Sequence, residues 1–340
     1  MAQLTEDREQ AADIVVPGVT TGRANPLVQV WYLLRRYPVV PGAVISLLIV
    51  VGVFAPQLSP TNWEKQNVRN FREHPQTFFR ADEHNAPVNE ADFDLETRDG
   101  RNALRAANAQ HHGRLAFVIG GDALGRDVLS RVVGGARTSL KVAGIALATG
   151  TTVGVLMGLT AGYYGGLIDE IIMRIVDMWL GLPFLLVAIL ASVTIGASER
   201  TVMILLALLA WTGFVRLVRA DVLVLKTLDY VASARVAGAS DFRIIFKHIF
   251  PGTVSTILVV ASLNVGGLIL AEAGLSFLSV GIPDPIPTWG KSVSEGRSYL
   301  ETSWYISFWP GLAIFLTVMS LNFFGDWLRD RLDPRLRQIN

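Results

Sequence analysis

Six long apolar runs dominate this chain and restrict what it can fold into. They lie at about Pro38–Leu58, Leu140–Tyr163, Ile171–Ile195, Val202–Leu217, Val254–Val280 and Tyr305–Phe324. A helix needs roughly 20 apolar residues to cross a ~30 Å hydrocarbon core. Inside that core every backbone polar group must be satisfied internally, which a helix achieves and an isolated strand does not. Only 17% of the 340 residues are charged and 51% are hydrophobic, against about 25% charged in ordinary soluble domains. The expectation is an all-α polytopic membrane protein with six transmembrane helices.

Charge gives the orientation. Arg35 and Arg36 precede the first run, and Arg329, Arg331, Arg335 and Arg337 follow the last. Between the fourth and fifth runs, Phe214 to Gly252 holds six Lys or Arg against three Asp. Basic residues next to spans stay in the cytoplasm, so both tails (1–36 and 327–340) and the loop at 227–252 are expected there. The first 36 residues are too long and mixed for the head of a cleaved signal, so the first span (37–58) is read as a retained anchor. Residues 59–137 form a polar insert outside the membrane, a hydrophilic platform carrying His74, His84, His111 and His112. His111 and His112 would diverge by ~100° on a helix, and no second ligand motif accompanies them, so no metal is expected. With no cysteine in the chain, disulfides and thiolate chemistry are excluded, and a formal charge of +1 argues against a nucleic-acid partner. The phosphate-loop pattern G-x-x-x-x-G-K-[ST] does not occur, so nucleotide is not expected on this chain.

An ionisable residue within a span is costly and therefore informative. Glu272 lies about two-thirds along the fifth span, between Ala271 and Ala273. It serves either as a polar wall of a pathway or as a buried hydrogen-bonding group that holds helices together. Asp177 and Arg174 stand one turn apart in the third span and are read as a pair. Gly150, Gly154, Gly158 and Gly162 form an unbroken small-x-x-x-small series in the second span, which predicts close approach of a neighbouring helix.

The loop from Asp229 to Pro251, DYVASARVAGASDFRIIFKHIFP, has an apolar stripe of its own. Val231, Ala234, Gly238, Phe242, Ile245, Phe246 and Ile249 recur at three- and four-residue steps, the spacing of one helix face. Gly238 interrupts the run, Ser240 or Asp241 caps a second helix, and Pro251 ends it. The pattern predicts an elbow of two short helices showing one greasy face to a partner.

The elbow resembles the EAA loop of ABC-importer permeases: Ala232, Ser233 and Ala234 occupy the triplet, with Gly238 and Pro251 in register. Ala232 replaces the usual Glu, and Phe250 replaces the usual Leu. The stretch GGDALGRDVLSRVVGGARTSL resembles the segment before the second span in dipeptide and oligopeptide permeases, through Gly120, Asp122, Gly125, Arg126, Asp127, Leu129, Ser130 and Arg131. ILAEAGLSFLSVGIPDPIPTWG and FWPGLAIFLTVMSLNFFGDWLRDRLDPRLR resemble the last two spans of that family. The likeness covers about residues 118–337 and leaves the insert at 60–115 outside it.

The resemblance implies a type I ABC-importer permease core at 138–326, with cytoplasmic coupling helices and a periplasmic insert after the first span. It implies an ATPase contact carried by Tyr230, Ala232, Ala234, Gly238, Ala239, Asp241, Phe242, Phe246 and Pro251. The partners implied are a second homologous permease, two cytoplasmic ABC ATPase subunits that hold ATP and Mg, and a periplasmic or lipid-anchored substrate-binding protein. Membrane lipids surround the spans of this bacterial or archaeal cytoplasmic-membrane assembly. No cofactor and no catalysis fall to this chain. Peptides are the implied cargo, and nickel chelates or another solute fit the same architecture. A secondary transporter would leave the elbow without a purpose, and a membrane-embedded enzyme would need paired Asp, H-E-x-x-H, or Ser with His in the spans.

Overall fold

The computed structural model describes residues 39–60, 63, 99–100 and 118–332. The N-terminal tail, most of the insert with its four histidines, and Arg335 and Arg337 lie outside the described residues. Among the described residues the chain is helical throughout, with one isolated antiparallel bridge between Gly121 and Asp127.

Each of the six apolar runs is found as helix, though two take a different form from a straight span. The first divides into α1 (Val39–Val53) and the single turn α2 (Ala55–Leu58), with a break at Phe54. At 1.5 Å per residue, α1 alone is only about 22 Å long. The second run belongs to α3 (Val128–Tyr164), 37 residues long, whose N-cap Asp127 accepts from the Ser130 amide. The third divides into α4 (Gly166–Leu180) and α5 (Phe184–Thr194), bent by 81°. Gly181 and Pro183 cause this bend. Proline removes a donor and disfavours the helical conformation of the residue before it, so the ladder stops at Leu180 and restarts at Phe184. α4 also begins at Gly166, ahead of the Ile171 expected from hydropathy.

The fourth run becomes α6 (Glu199–Leu225). The elbow follows as α7 (Asp229–Val236), α8 (Asp241–Arg243) and a π-helical stretch, Ile244–Ile249. It leads into α9 (Phe250–Phe277), then α10 (Trp289–Gly296), the one-turn α11 (Leu300–Ser303) and α12 (Tyr305–Leu332).

Pro251 does not end the elbow helix: Asp241 to Phe277 is continuous, a 37-residue apolar span. In the π stretch each amide reaches back five residues, as Phe250 does to Ile245. The ladder is thereby shifted by one residue. Pro251 then falls in the first turn of α9, where its missing N–H costs nothing.

The bundle is organised by α3 against α6. A Cβ added at Gly154 would lie 2.5 Å from the Trp211 carbonyl oxygen and 2.6 Å from Phe214 Cβ. Gly150, Gly158 and Gly162 meet Ala210, Val218 and Val222 in the same way. The glycine stripe is thus the contact surface it was expected to be. α9 packs between α12 and the α3–α6 pair. The core is Leu206, Val142, Leu275 and Ile269 at one level and Leu159, Phe214, Val218 and Val222 at another.

Candidate functional site

The elbow has three parts. α7 ends in a Schellman motif: the Gly238 amide bonds to the Arg235 carbonyl at 3.0 Å and the Ala239 amide to the Ala234 carbonyl at 3.1 Å. The closing residue must turn left-handed, and Gly238 does so with φ +78°. Nothing lies within 4 Å of a Cβ built there, so the demand at this position is conformational and not steric.

The single apolar face expected of the elbow is in fact split in two. Val231, Ile244, Ile245 and Ile249 are buried against Val155, Leu159, Phe214, Val218 and Val222. Phe242 is 71% exposed and Val236 90%, and Tyr230 and Phe246 are exposed beside them. The left-handed corner at Gly238 and the wider π turn each rotate the helical phase. Positions that would share a face on one straight helix therefore diverge. One half anchors the elbow and the other is left uncovered, with the Phe242 and Phe246 rings 4.5 Å apart. Of the remaining predicted coupling residues, Ala232, Asp241 and Pro251 are exposed, while Ala234 and Ala239 are half-buried.

Ser240 makes no side-chain cap. The Asp241 carboxylate accepts instead from the Tyr163 hydroxyl at 2.6 Å, which pins the elbow to the end of α3. Tyr230 donates to the His248 carbonyl at 3.3 Å, joining the two arms. Lys226 Nζ bonds to the Gly162 carbonyl at 2.7 Å, and Arg219 forms a two-pronged pair with Asp169. Tyr163, Asp169, Arg219 and Lys226 escaped the sequence reading. For Asp169 and Arg219 the available signal was opposite charge on the elbow-side ends of neighbouring spans.

At the opposite end of the bundle, the predicted motif at 120–131 closes on itself and on α10. Asp122 accepts from the amides of Leu124 and Arg126, both at 2.9 Å, and from Arg126 Nε at 2.5 Å. Arg126 also reaches Glu295 at 2.7 Å and Asp284 at 3.5 Å, and Arg131 reaches Glu295 at 3.3 Å. Asp127 holds the Ser130 amide and hydroxyl. Asp122, Arg126 and Arg131 are all buried, and removing one member of a buried ion cluster costs about 3–5 kcal/mol. Burial pushes the Asp284 carboxyl up. The hydrogen bond from Lys291 and the charges of Lys291, Arg126 and Arg131 outweigh that and hold it below the usual carboxylate range. Trp289 is buried and donates to the Val132 carbonyl at 2.8 Å, and Tyr305 donates to the Gly121 carbonyl at 3.2 Å. Glu295, Asp284 and Trp289 were not anticipated, because each meets a partner more than 150 residues away (Arg126 and Asp284, for example, are 158 apart), and Lys291 joins the cluster only through Asp284.

Glu272 is fully buried. It accepts from Ser276 at 2.8 Å on its own helix and from Ser139 of α3 at 3.1 Å. These two hydroxyls tie α9 to α3. Asp177 does not pair with Arg174: it is exposed and meets Arg216 of α6 at 2.6 Å, while Arg174 turns outward to Glu170 at 3.7 Å. A partner on the neighbouring helix is the better placed of the two. Among the described residues no three His, Asp or Glu side chains converge as metal ligands.

An aromatic ledge on a rigid mount is suited to docking. Residues 151–338 match the family model described as the binding-protein-dependent transport system inner membrane component. The chain is 44% identical over 222 residues to the glutathione transport system permease protein GsiD of Pectobacterium atrosepticum, covering 65% of this chain and 74% of that one. It is 36% identical over 333 residues to GsiD of Escherichia coli, covering 97% and 98%. A chain of the inward-facing MetNI methionine ABC transporter shares the fold, with TM-score 0.50 and 17% identity, over 60% of this chain and 96% of that one. With a matching model over more than half its length and a relative aligned almost end to end, this chain belongs to the family of binding-protein-dependent inner-membrane transport components, as a permease subunit of an ABC importer.

Proposed function

We propose that this permease forms half of the translocation pathway for peptide-class solutes and that its elbow couples the pathway to cytoplasmic ATPase subunits. The cargo reading follows the glutathione permeases that are its relatives at 36–44% identity. The assembly holds a second permease, since one chain of this size does not enclose a peptide-sized route. Two ATPase subunits carry ATP and Mg, and a substrate-binding protein delivers the solute. The elbow end faces the cytoplasm, with both termini, and the insert faces the periplasm.

The observation that carries this reading is the uncovered pair Phe242 and Phe246 on a loop otherwise seated by buried contacts. Fully burying one phenylalanine is worth about 1.5–3 kcal/mol, so the pair can supply a few kcal/mol of a docking contact. Neither ring packs into the chain's own core, so altering them leaves the fold intact. The Phe242→Asp permease is therefore expected to insert normally and to co-purify with at most a small fraction of its ATPase subunits. Normal ATPase stoichiometry in that complex would show that the elbow docks elsewhere.

A further inference from the structure

One long groove belongs neither to the elbow nor to the ion cluster. It runs between α3 and α6, has a volume of about 680 Å³, and is walled by apolar side chains such as Val153, Met157, Ile204 and Leu208. Along α6 it extends from Arg200 to Trp211, and along α3 from Ile145 to Met157. At 1.5 Å per residue these lengths are about 16 Å and 18 Å. Each is close to the depth of one leaflet, half of a ~30 Å hydrocarbon core.

The wall has little to offer a polar solute. The Thr149 hydroxyl is satisfied within its own helix, on the carbonyls of Ile145 at 2.8 Å and Ala146 at 3.1 Å. The Trp211 indole nitrogen is buried. What remains is Arg200, in the first turn of α6, at the end of the groove farthest from the elbow. It is exposed and makes no hydrogen bond or ion pair among the described residues. Beside it Lys141 and Glu199 pair at 2.9 Å, so their charges cancel. The mouth of the groove therefore carries one uncompensated positive charge, at the boundary of the apolar run, above a slot one leaflet deep.

Length, lining and charge match a lipid together. An acyl chain gains from an apolar wall that removes it from water, and a phosphate at the headgroup level pairs with a basic side chain. We propose that the groove is a phospholipid site in the leaflet opposite the elbow, with one acyl chain lying between α3 and α6 and Arg200 holding the phosphate. A single net positive charge fits a headgroup of net charge minus one that carries no ammonium, as in phosphatidylglycerol. The bound chain covers the seam of the two helices that organise the bundle. The assignment depends on neither the cargo nor the coupling reading.

The test is native mass spectrometry of the whole complex, depleted of lipid in detergent and titrated with phosphatidylglycerol or phosphatidylethanolamine. Saturable binding of phosphatidylglycerol is expected at a tight site. Arg200→Gln should weaken that site about tenfold or more, and Arg200→Lys should keep most of it. Val153→Trp fills the groove from an exposed position and should abolish the site with Arg200 still present. Where that variant fails to assemble, Ile204→Trp on the same exposed rim gives the same reading. Arg297→Gln alters another exposed arginine, placed after α10 and outside the groove, and should bind like the unaltered complex. Equal binding by the unaltered, Arg200→Gln and groove-filled complexes overturns the proposal, as does phosphatidylethanolamine bound as tightly as phosphatidylglycerol. So does a Val153→Cys thiol that cross-links to the second permease in native membranes, because a partner helix would then occupy the groove.

Discussion

Gly238 shows how one residue sets the shape of the contact. Its φ of +78° lies where a side chain costs of order 1–3 kcal/mol, and the space around it is open. Gly238→Val therefore strains the corner without a clash. That strain is small beside the packing of the bundle, but it matches a typical coupling free energy of ~1–3 kcal/mol. The variant should assemble at normal stoichiometry while losing most of the stimulation of ATP hydrolysis by loaded binding protein. Wild-type stimulation and uptake would make the glycine incidental. The glycine was legible because left-handed corners select it. The fate of its neighbours was not: which of Phe242, Ile245, Phe246 and Ile249 faces inward depends on a π turn that residue spacing does not encode.

At the level of elements, the α3–α6 pair is the bundle's backbone and the part most readable from sequence. Four glycines at four-residue steps announced a close crossing, and a Cβ at Gly154 would meet the Trp211 carbonyl at 2.5 Å. Gly154→Leu must push the two helices apart, and overpacking costs typically 1–3 kcal/mol or more. Its thermal unfolding in detergent should shift several degrees downward relative to Gly144→Leu, where a Cβ meets nothing within 4 Å. Equal midpoints for the two would deny the stripe its role. Hydropathy located all six apolar runs but not the 81° bend between α4 and α5, although Gly181 and Pro183 were there to be read. A hydropathy average ignores backbone punctuation. The ion cluster around Arg126 was half visible: its motif residues were recognised, while Glu295 and Asp284 come from a distant loop that only the fold brings near.

For the whole molecule, the proposed orientation puts the elbow end toward the ATPases and the insert on the other side. The chain has no cysteine, so single probes report cleanly. Glu90→Cys, in the insert, should react with an impermeant maleimide in intact cells, and reaction only after lysis would invert the topology. The most direct measurement is site-specific cross-linking from the elbow itself. Phe242→Cys and Leu300→Cys place exposed thiols at opposite ends of the bundle, their parent side chains being 71% and 52% exposed. In native membranes treated with a short bifunctional reagent, Phe242→Cys should yield an adduct with the ATPase subunit and Leu300→Cys should not. An ATPase adduct from position 300, or none from position 242, would contradict the coupling assignment.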